Sequence, residues 1–203
     1  MTAHAPLAAG RRHTVRCLPN GQVVAVGADS AGECRVSQWR DVVAVAAGNV
    51  HAAGNTGRSH TLGLRSNGTV LACGWNAQGQ CNVQDWHGVV TVAAGWRFSA
   101  GLRGDGTLVT TGRDAEGQRQ VDHWRELTGI SCGDWHTVAV RADGSVCAAG
   151  SNAAGQCEVS QWRDIVAIAA GAAHTVGLRT DGGVVATGSN SHGQLEVGAW
   201  PSS

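Results

Sequence analysis

The chain has 203 residues, 42% of them apolar, which suits one domain or one ring of small repeats around a real core. Thirty glycines against three prolines, with no polar tract, exclude a disordered chain and point to many tight turns. Fifteen basic residues balance fifteen acidic ones, which speaks against a nucleic-acid partner, and no apolar run reaches the ~18 residues of a membrane-spanning helix.

From the start of the chain, Met1 to Arg12 holds no basic segment followed by an apolar stretch, so it does not read as a signal peptide. Seven cysteines, an odd number, are then expected as free thiols in the cytoplasm, with no metal among their roles. A first repeat copy carries Gly10, His13, the turn pair Asn20-Gly21, Gly27, Gly32 and Trp39. Further on, the interval settles at 38: Gly57, Gly95, Gly133 and Gly171 keep it, as do Trp86, Trp124, Trp162 and Trp200. The offset from the first copy to the second is 47, so nine extra residues are placed at 48–56.

Each copy reads as strands. In the last one, Asp164 to Gly171 is a smooth apolar run, His174 to Arg179 alternates, and Asp181-Gly182 is a hairpin signal before Gly183 to Gly188 returns. A short Leu-Glu-Val segment after Gln194 is expected as a brief fourth strand. No 3.6-residue apolar stripe occurs, so helical repeats are excluded. The reading is an all-β, closed five-bladed β-propeller, with blades of about 38 residues at 1–38, 39–85, 86–123, 124–161 and 162–200. Counting one interval back from Trp39 reaches Met1, so Ala8-Ala9-Gly10 is expected to follow Trp200 and close the last blade.

Three motifs recur in combination: Gly133-Asp-Trp-His-Thr137, Val140-Arg-Ala-Asp-Gly144 and Gly150-Ser-Asn-Ala-Ala-Gly-Gln156. In this combination the chain resembles the repeat of the regulator of chromosome condensation family, in its short-bladed bacterial form. The resemblance covers nearly the whole chain, although the best-known members have seven blades. It implies a rigid propeller that presents loops to another protein. Family members serve in nucleotide exchange on a small GTPase, ultraviolet reception and enzyme inhibition, and the fold does not choose among them.

Residues that recur in every copy are explained by the fold. The five tryptophans at the 38-residue interval are expected at blade junctions, and His13, His60, His136 and His174, with Phe98 in the fifth slot, as structural groups. The cysteines fill slots that sister copies give mostly to apolar or hydroxyl residues.

What varies is more telling. Between the glycine and the histidine stand Arg11-Arg12, Arg58-Ser59, Trp96-Arg97, Asp134-Trp135 and Ala172-Ala173. Tryptophan and arginine are the side chains most enriched at binding hot spots. Trp75 stands where sister copies carry Ala28, Arg113, Ser151 and Ser189, and the insertion brings His51 beside the same loops. Gly95-Trp96-Arg97 also resembles a motif at the homodimer face of the family's plant ultraviolet receptor. The candidate binding residues are therefore Arg11, Arg12, His51, Arg58, Trp75, Trp96, Arg97, Asp134 and Trp135, for a protein partner and with no cofactor. Two other readings stay open. One is an enzyme or small-molecule site in the axial funnel using His51, Arg58, Arg97 and Asp134, although no local catalytic motif supports it. The other is self-association through the same face.

Overall fold

The computed structural model describes residues 5–49 and 57–200. Apart from one 3-10 turn at Val197–Ala199, the regular elements are strands, arranged as five three-stranded antiparallel sheets, one per repeat copy. Two compact units share them, one ending at Arg113 and one starting at Asp114. The first unit holds β1 (Leu7–Ala9), β2 (His13–Cys17) and β3 (Val23–Gly27), then β4 (Val42–Ala47), β5 (His60–Arg65) and β6 (Val70–Gly74), then β7 (Val89–Ala94), β8 (Phe98–Arg103) and β9 (Leu108–Gly112). The second holds β10 (Leu127–Cys132), β11 (His136–Arg141) and β12 (Val146–Gly150), then β13 (Ile165–Ala170), β14 (His174–Arg179) and β15 (Val184–Gly188).

The hairpins close where the sequence places them. Gly68 takes φ +79°, and Asn67 Oδ1 accepts the Thr69 amide at 3.1 Å; Asp105 and Asp143 do the same for Thr107 and Ser145. Only glycine adopts that left-handed backbone without strain, which is why the second turn residue is glycine in each copy.

Two expectations are corrected. The brief fourth strand is a turn-rich segment instead. Asn76 Oδ1 accepts the amide of Cys81 at 2.7 Å and Gln80 Oε1 that of Gln78 at 3.1 Å, and Asn152 and Gln156 staple the fifth sheet's approach likewise. Side chains thus take the amides that a strand ladder would need. The N-terminal strand, expected to complete the last blade, is hydrogen-bonded inside the first sheet, with Leu7 opposite Arg16 and Ala9 opposite Thr14. The short Gly10–Arg12 link favours that local hairpin over a distant partner.

Consecutive sheets are joined by a recurring clasp. His13 Nε2 lies 2.9 Å from Thr61 Oγ1, which donates to the Glu33 carbonyl at 2.6 Å. His60 Nε2 meets Ser99 Oγ at 2.9 Å, and Ser99 donates to the Gln80 carbonyl at 2.8 Å. In the second unit, His136 Nε2 meets Thr175 Oγ1 at 3.0 Å, and Thr175 donates to the Gln156 carbonyl at 2.8 Å. Each hydroxyl has spent its single proton on a carbonyl, so the ring must donate from Nε2. That fixes a neutral imidazole whose Nδ1 faces the repeat glycine, and at His13 and His136 this Nδ1 is buried without a hydrogen-bond partner. Burial accordingly lowers the pKa of His60 to about 3 and of His136 to about 4, with the neighbouring His13 and His174 adding to each. The histidines are structural.

The tryptophans seal the same junctions. Trp39 packs with Val15, Cys17, Val42 and Val45, Trp86 with Leu62, Leu64 and Val89, and Trp162 with Val140, Val146 and Ile165. All seven cysteines are free, and burial pushes Cys73, Cys81 and Cys132 up to about 12. They are inert packing groups.

Candidate binding face

The loops that carry the variable residues are built on one backbone bond. The amide of Gly10 donates to the His13 carbonyl at 3.0 Å, and Gly95, Gly133 and Gly171 donate to Phe98, His136 and His174 at 3.0, 2.9 and 2.9 Å. In the second sheet the donor is Gly48, bonded to His60 at 2.9 Å, and not Gly57. A Cβ on Gly48 would lie 2.6 Å from the His60 ring, as one on Gly10 would lie 2.8 Å from His13. Gly48 is therefore the repeat glycine, and the nine extra residues lengthen the variable loop itself rather than precede it. The first unit thus carries one enlarged loop, of which 50–56, with His51, lie outside the described residues.

A second bond sets which side chains meet. The residue after the third strand of each sheet donates its amide back to the residue before the histidine slot: Trp75 to Ser59 at 2.7 Å, Arg113 to Arg97 at 2.8 Å, Ser151 to Trp135 at 2.9 Å. This brings the slot two residues before the histidine beside the slot after the third strand. In the second sheet these slots hold Arg58 and Trp75, and the Arg58 guanidinium lies over the Trp75 ring at 4.6 Å. In the third sheet the roles are exchanged, with Arg113 over Trp96 at 5.1 Å. Arg97 adds a second guanidinium over Trp96 at 4.4 Å. To do so Arg97 adopts φ +64°, a left-handed conformation that costs a non-glycine residue about 1–2 kcal/mol. Such pairs contribute roughly 0.5–1 kcal/mol each at exposed sites, so they organise the face more than they stabilise the fold.

The other expected residues are placed as follows. Arg11, Arg12 and Arg58 are exposed, and Trp75, Trp96 and Arg97 half-buried, all in the first unit. Arg12 reaches Gly57, where a Cβ would lie 2.5 Å from its Nη1, so it spans to the enlarged loop. Asp134 and Trp135 belong to the second unit, where Trp135 is half-buried. Asp134 is only 4% exposed, with its amide on the Ala172 carbonyl at 3.2 Å. It is a loop anchor more than a rim residue. The residue missing from the expected set is Arg113, whose signal was its place in the Trp75 slot.

The unit boundary also divides the charge. Up to Arg113 there are ten arginines and five acidic residues; from Asp114 there are five arginines and ten acidic residues. The zero net charge conceals a basic half and an acidic half.

A profile of the regulator of chromosome condensation (RCC1) repeat matches residues 55–80, 89–118, 128–156 and 165–194, more than half of the chain. The chain belongs to this family. Its backbone is similar to human WBSCR16, with a TM-score of 0.73 at 20% identity over 95% of this chain and 63% of that one. It is similar to Prp20p of Saccharomyces cerevisiae, TM-score 0.71 at 19% identity over 93% and 58%. The ectodomain of the Physcomitrella patens receptor kinase CR4 gives 0.72 at 15% identity over 90% and 52%. At these identities the likeness is one of fold. No curated protein matches the chain in sequence. The chain spans about three fifths of the length of the first two solved structures. Binding of Gsp1p and histones is described for Prp20p, which has also been solved bound to Kap60.

Proposed function

We propose that this chain is a non-enzymatic protein-binding module whose working surface is the Trp/Arg-rich loop face of its first unit. One observation carries the reading: Trp96 lies under two guanidiniums, and one of them, Arg97, is held there by a left-handed backbone. Strain of that kind persists where a function needs the geometry. Arg58 over Trp75 repeats the arrangement with exchanged slots. The excess of arginine in this unit selects a partner with an acidic surface, steered by charge and anchored by the indoles. Prp20p, which shares the fold, binds Gsp1p and histones, in keeping with a protein-binding role.

The test is capture of a stoichiometric partner from the source cell, with the wild type and with Trp96→Ala, Arg97→Ala and Arg58→Ala. The expected result is binding that weakens at high salt and falls about 30-fold or more with Trp96→Ala, at an unchanged melting temperature. Undiminished capture by all three variants would refute the assignment.

A further inference from the structure

The arginines of the first unit are not spread evenly. All fifteen Lys/Arg positions of the chain are arginine, and ten of them stand in this unit. Five, Arg11, Arg12, Arg58, Arg97 and Arg113, follow strands that end at the loop side of its three sheets. The clasps His13–Thr61 and His60–Ser99 join second strand to second strand near their starts, so consecutive sheets run the same way and bring these loops to one side. Acidic residues near the loops are turned back on their own turns. Asp29 Oδ1 accepts the Cys34 amide at 2.9 Å, and the fully buried Glu33 accepts the Ala31 amide at 2.7 Å. Asp114, next in the chain to Arg113, accepts the Arg119 amide at 2.8 Å. Asp41, Asp85 and Asp105 lie at the opposite, hairpin end of the sheets.

The guanidiniums follow one another from sheet to sheet. Arg12 of the first sheet's loop reaches Gly57, where a Cβ would meet its Nη1 at 2.5 Å, and so comes up beside Arg58 of the second. In the third sheet Arg97 and Arg113 share the Trp96 ring. An indole backs Arg58, Arg97 and Arg113, which fixes each fork and takes water from one of its faces. What such a stack leaves for a partner is the N–H edge of the fork, whose geometry matches a carboxylate. Packed sheets stand about 10 Å apart and an extended chain advances about 3.3 Å per residue, so about seven residues span the three sheets.

We propose that this track takes an extended acidic segment of a partner protein, a run of consecutive Asp or Glu residues lying across the loops of the first three sheets. The proposal rests on the loop face assigned above and specifies what that face reads. A run of carboxylates offers one to each fork whatever its register, whereas a folded acidic surface must match three loops at once. Single-stranded nucleic acid, a polyanion of similar reach, is held by stacking its bases on aromatic faces. Here arginines stand over the rings of both Trp75 and Trp96.

The test is fluorescence anisotropy of end-labelled oligoglutamates of about three, seven and fourteen residues, titrated with the full chain at low salt. Affinity should rise steeply from the shortest peptide to the middle one, level off at the longest, and fall at high salt. Arg12→Ala, Arg58→Ala and Arg97→Ala should each weaken the middle peptide about three- to fivefold. Arg40→Ala, which removes the same charge at the hairpin end, should leave it unchanged, and thermal melts check that every variant is folded. No binding of the middle peptide, an equal loss with Arg40→Ala, or an affinity that climbs steadily with length overturns the proposal. So does an oligothymidylate of matched charge that binds as tightly. If partner capture is lost with Trp96→Ala while oligoglutamate neither binds nor competes, the loop face stands and the acidic segment is refuted. Undiminished capture by the variants, with oligoglutamate bound as expected, refutes the partner assignment and leaves this one.

Discussion

The six-membered ring of Trp86 lies against the α-carbon of Gly101: a Cβ built there would sit 2.9 Å from Cζ3 and 3.0 Å from Cε3. Trp86 is 7% exposed, and Gly101 sits at the centre of β8. The contact lets an indole fill the space between two sheets without forcing them apart. Gly101→Ala should therefore cost about 1–2 kcal/mol, since the ring must give by a few tenths of an ångström, and Gly101→Val more. Trp86→Ala should cost about 3–5 kcal/mol through the cavity it leaves. Denaturant titration orders the three variants, and a Gly101→Val as stable as the wild type would show that the ring is not confined.

Much of this was legible beforehand, because the 38-residue interval exposes what the fold requires. A glycine, a histidine and a tryptophan recurring in register can be assigned to structure before any coordinates are seen, and the packing agrees for Trp39, Trp86, Trp124 and Trp162, whereas Trp200 is 60% exposed. The insertion was not placed correctly, because Gly48 and Gly57 both fit the motif. Only the bond from the Gly48 amide to the His60 carbonyl separates them. The Arg–Trp pairs were half visible: Trp75 and Trp96 stand out as departures. That the slots of Trp75 and Arg58 are neighbours depends on an amide crossing between strands, which no spacing reveals. The N-terminal strand misled for a similar reason, since register alone cannot say which sheet an edge strand joins.

The clasp histidines make stability depend on pH. His60 has a pKa lowered from about 6.5 to about 3 by burial and by His13, so the unfolded chain takes up its proton first. Stability is then full above about pH 6.5 and is lost as pH falls toward 3, at up to ~1.4 kcal/mol per pH unit for each such histidine. Phe98 fills the same slot without a proton to gain, so His60→Phe should flatten part of the loss between pH 6.5 and 4, whatever it costs at neutral pH. Melting temperatures of the two proteins across this range decide the matter. An unchanged slope would place the acid sensitivity elsewhere.

The seven thiols should behave as packing groups. Burial raises Cys147 and Cys157 to about 11, and Cys73, Cys81 and Cys132 to about 12, so thiolate is scarce at neutral pH. A thiol reagent should find fewer than seven sites in the native protein at early times, and all seven in denaturant. Cys132, the most deeply buried in the second unit, should react last. A thiol reacting at once, with a reactivity midpoint near neutral pH, would identify a cysteine serving chemistry rather than packing.

Arg97 offers the sharpest separation of stability from function. Its φ of +64° is unfavourable for arginine and natural for glycine, while its guanidinium lies 4.4 Å from the Trp96 ring centre. Arg97→Gly removes the left-handed cost of about 1–2 kcal/mol and adds back about 0.5–1 kcal/mol of chain entropy in the unfolded state. The net expectation is unchanged to slightly raised stability. Arg97→Val, β-branched at a positive φ, should lose stability instead. Both variants delete the guanidinium over Trp96, so both should weaken partner capture to a similar degree although their melting temperatures move apart. Such a pattern would mean that strain is retained for the sake of binding. If Arg97→Gly is clearly less stable than the wild type, Arg97 instead serves to hold the loop together, and its backbone strain is a consequence of folding alone.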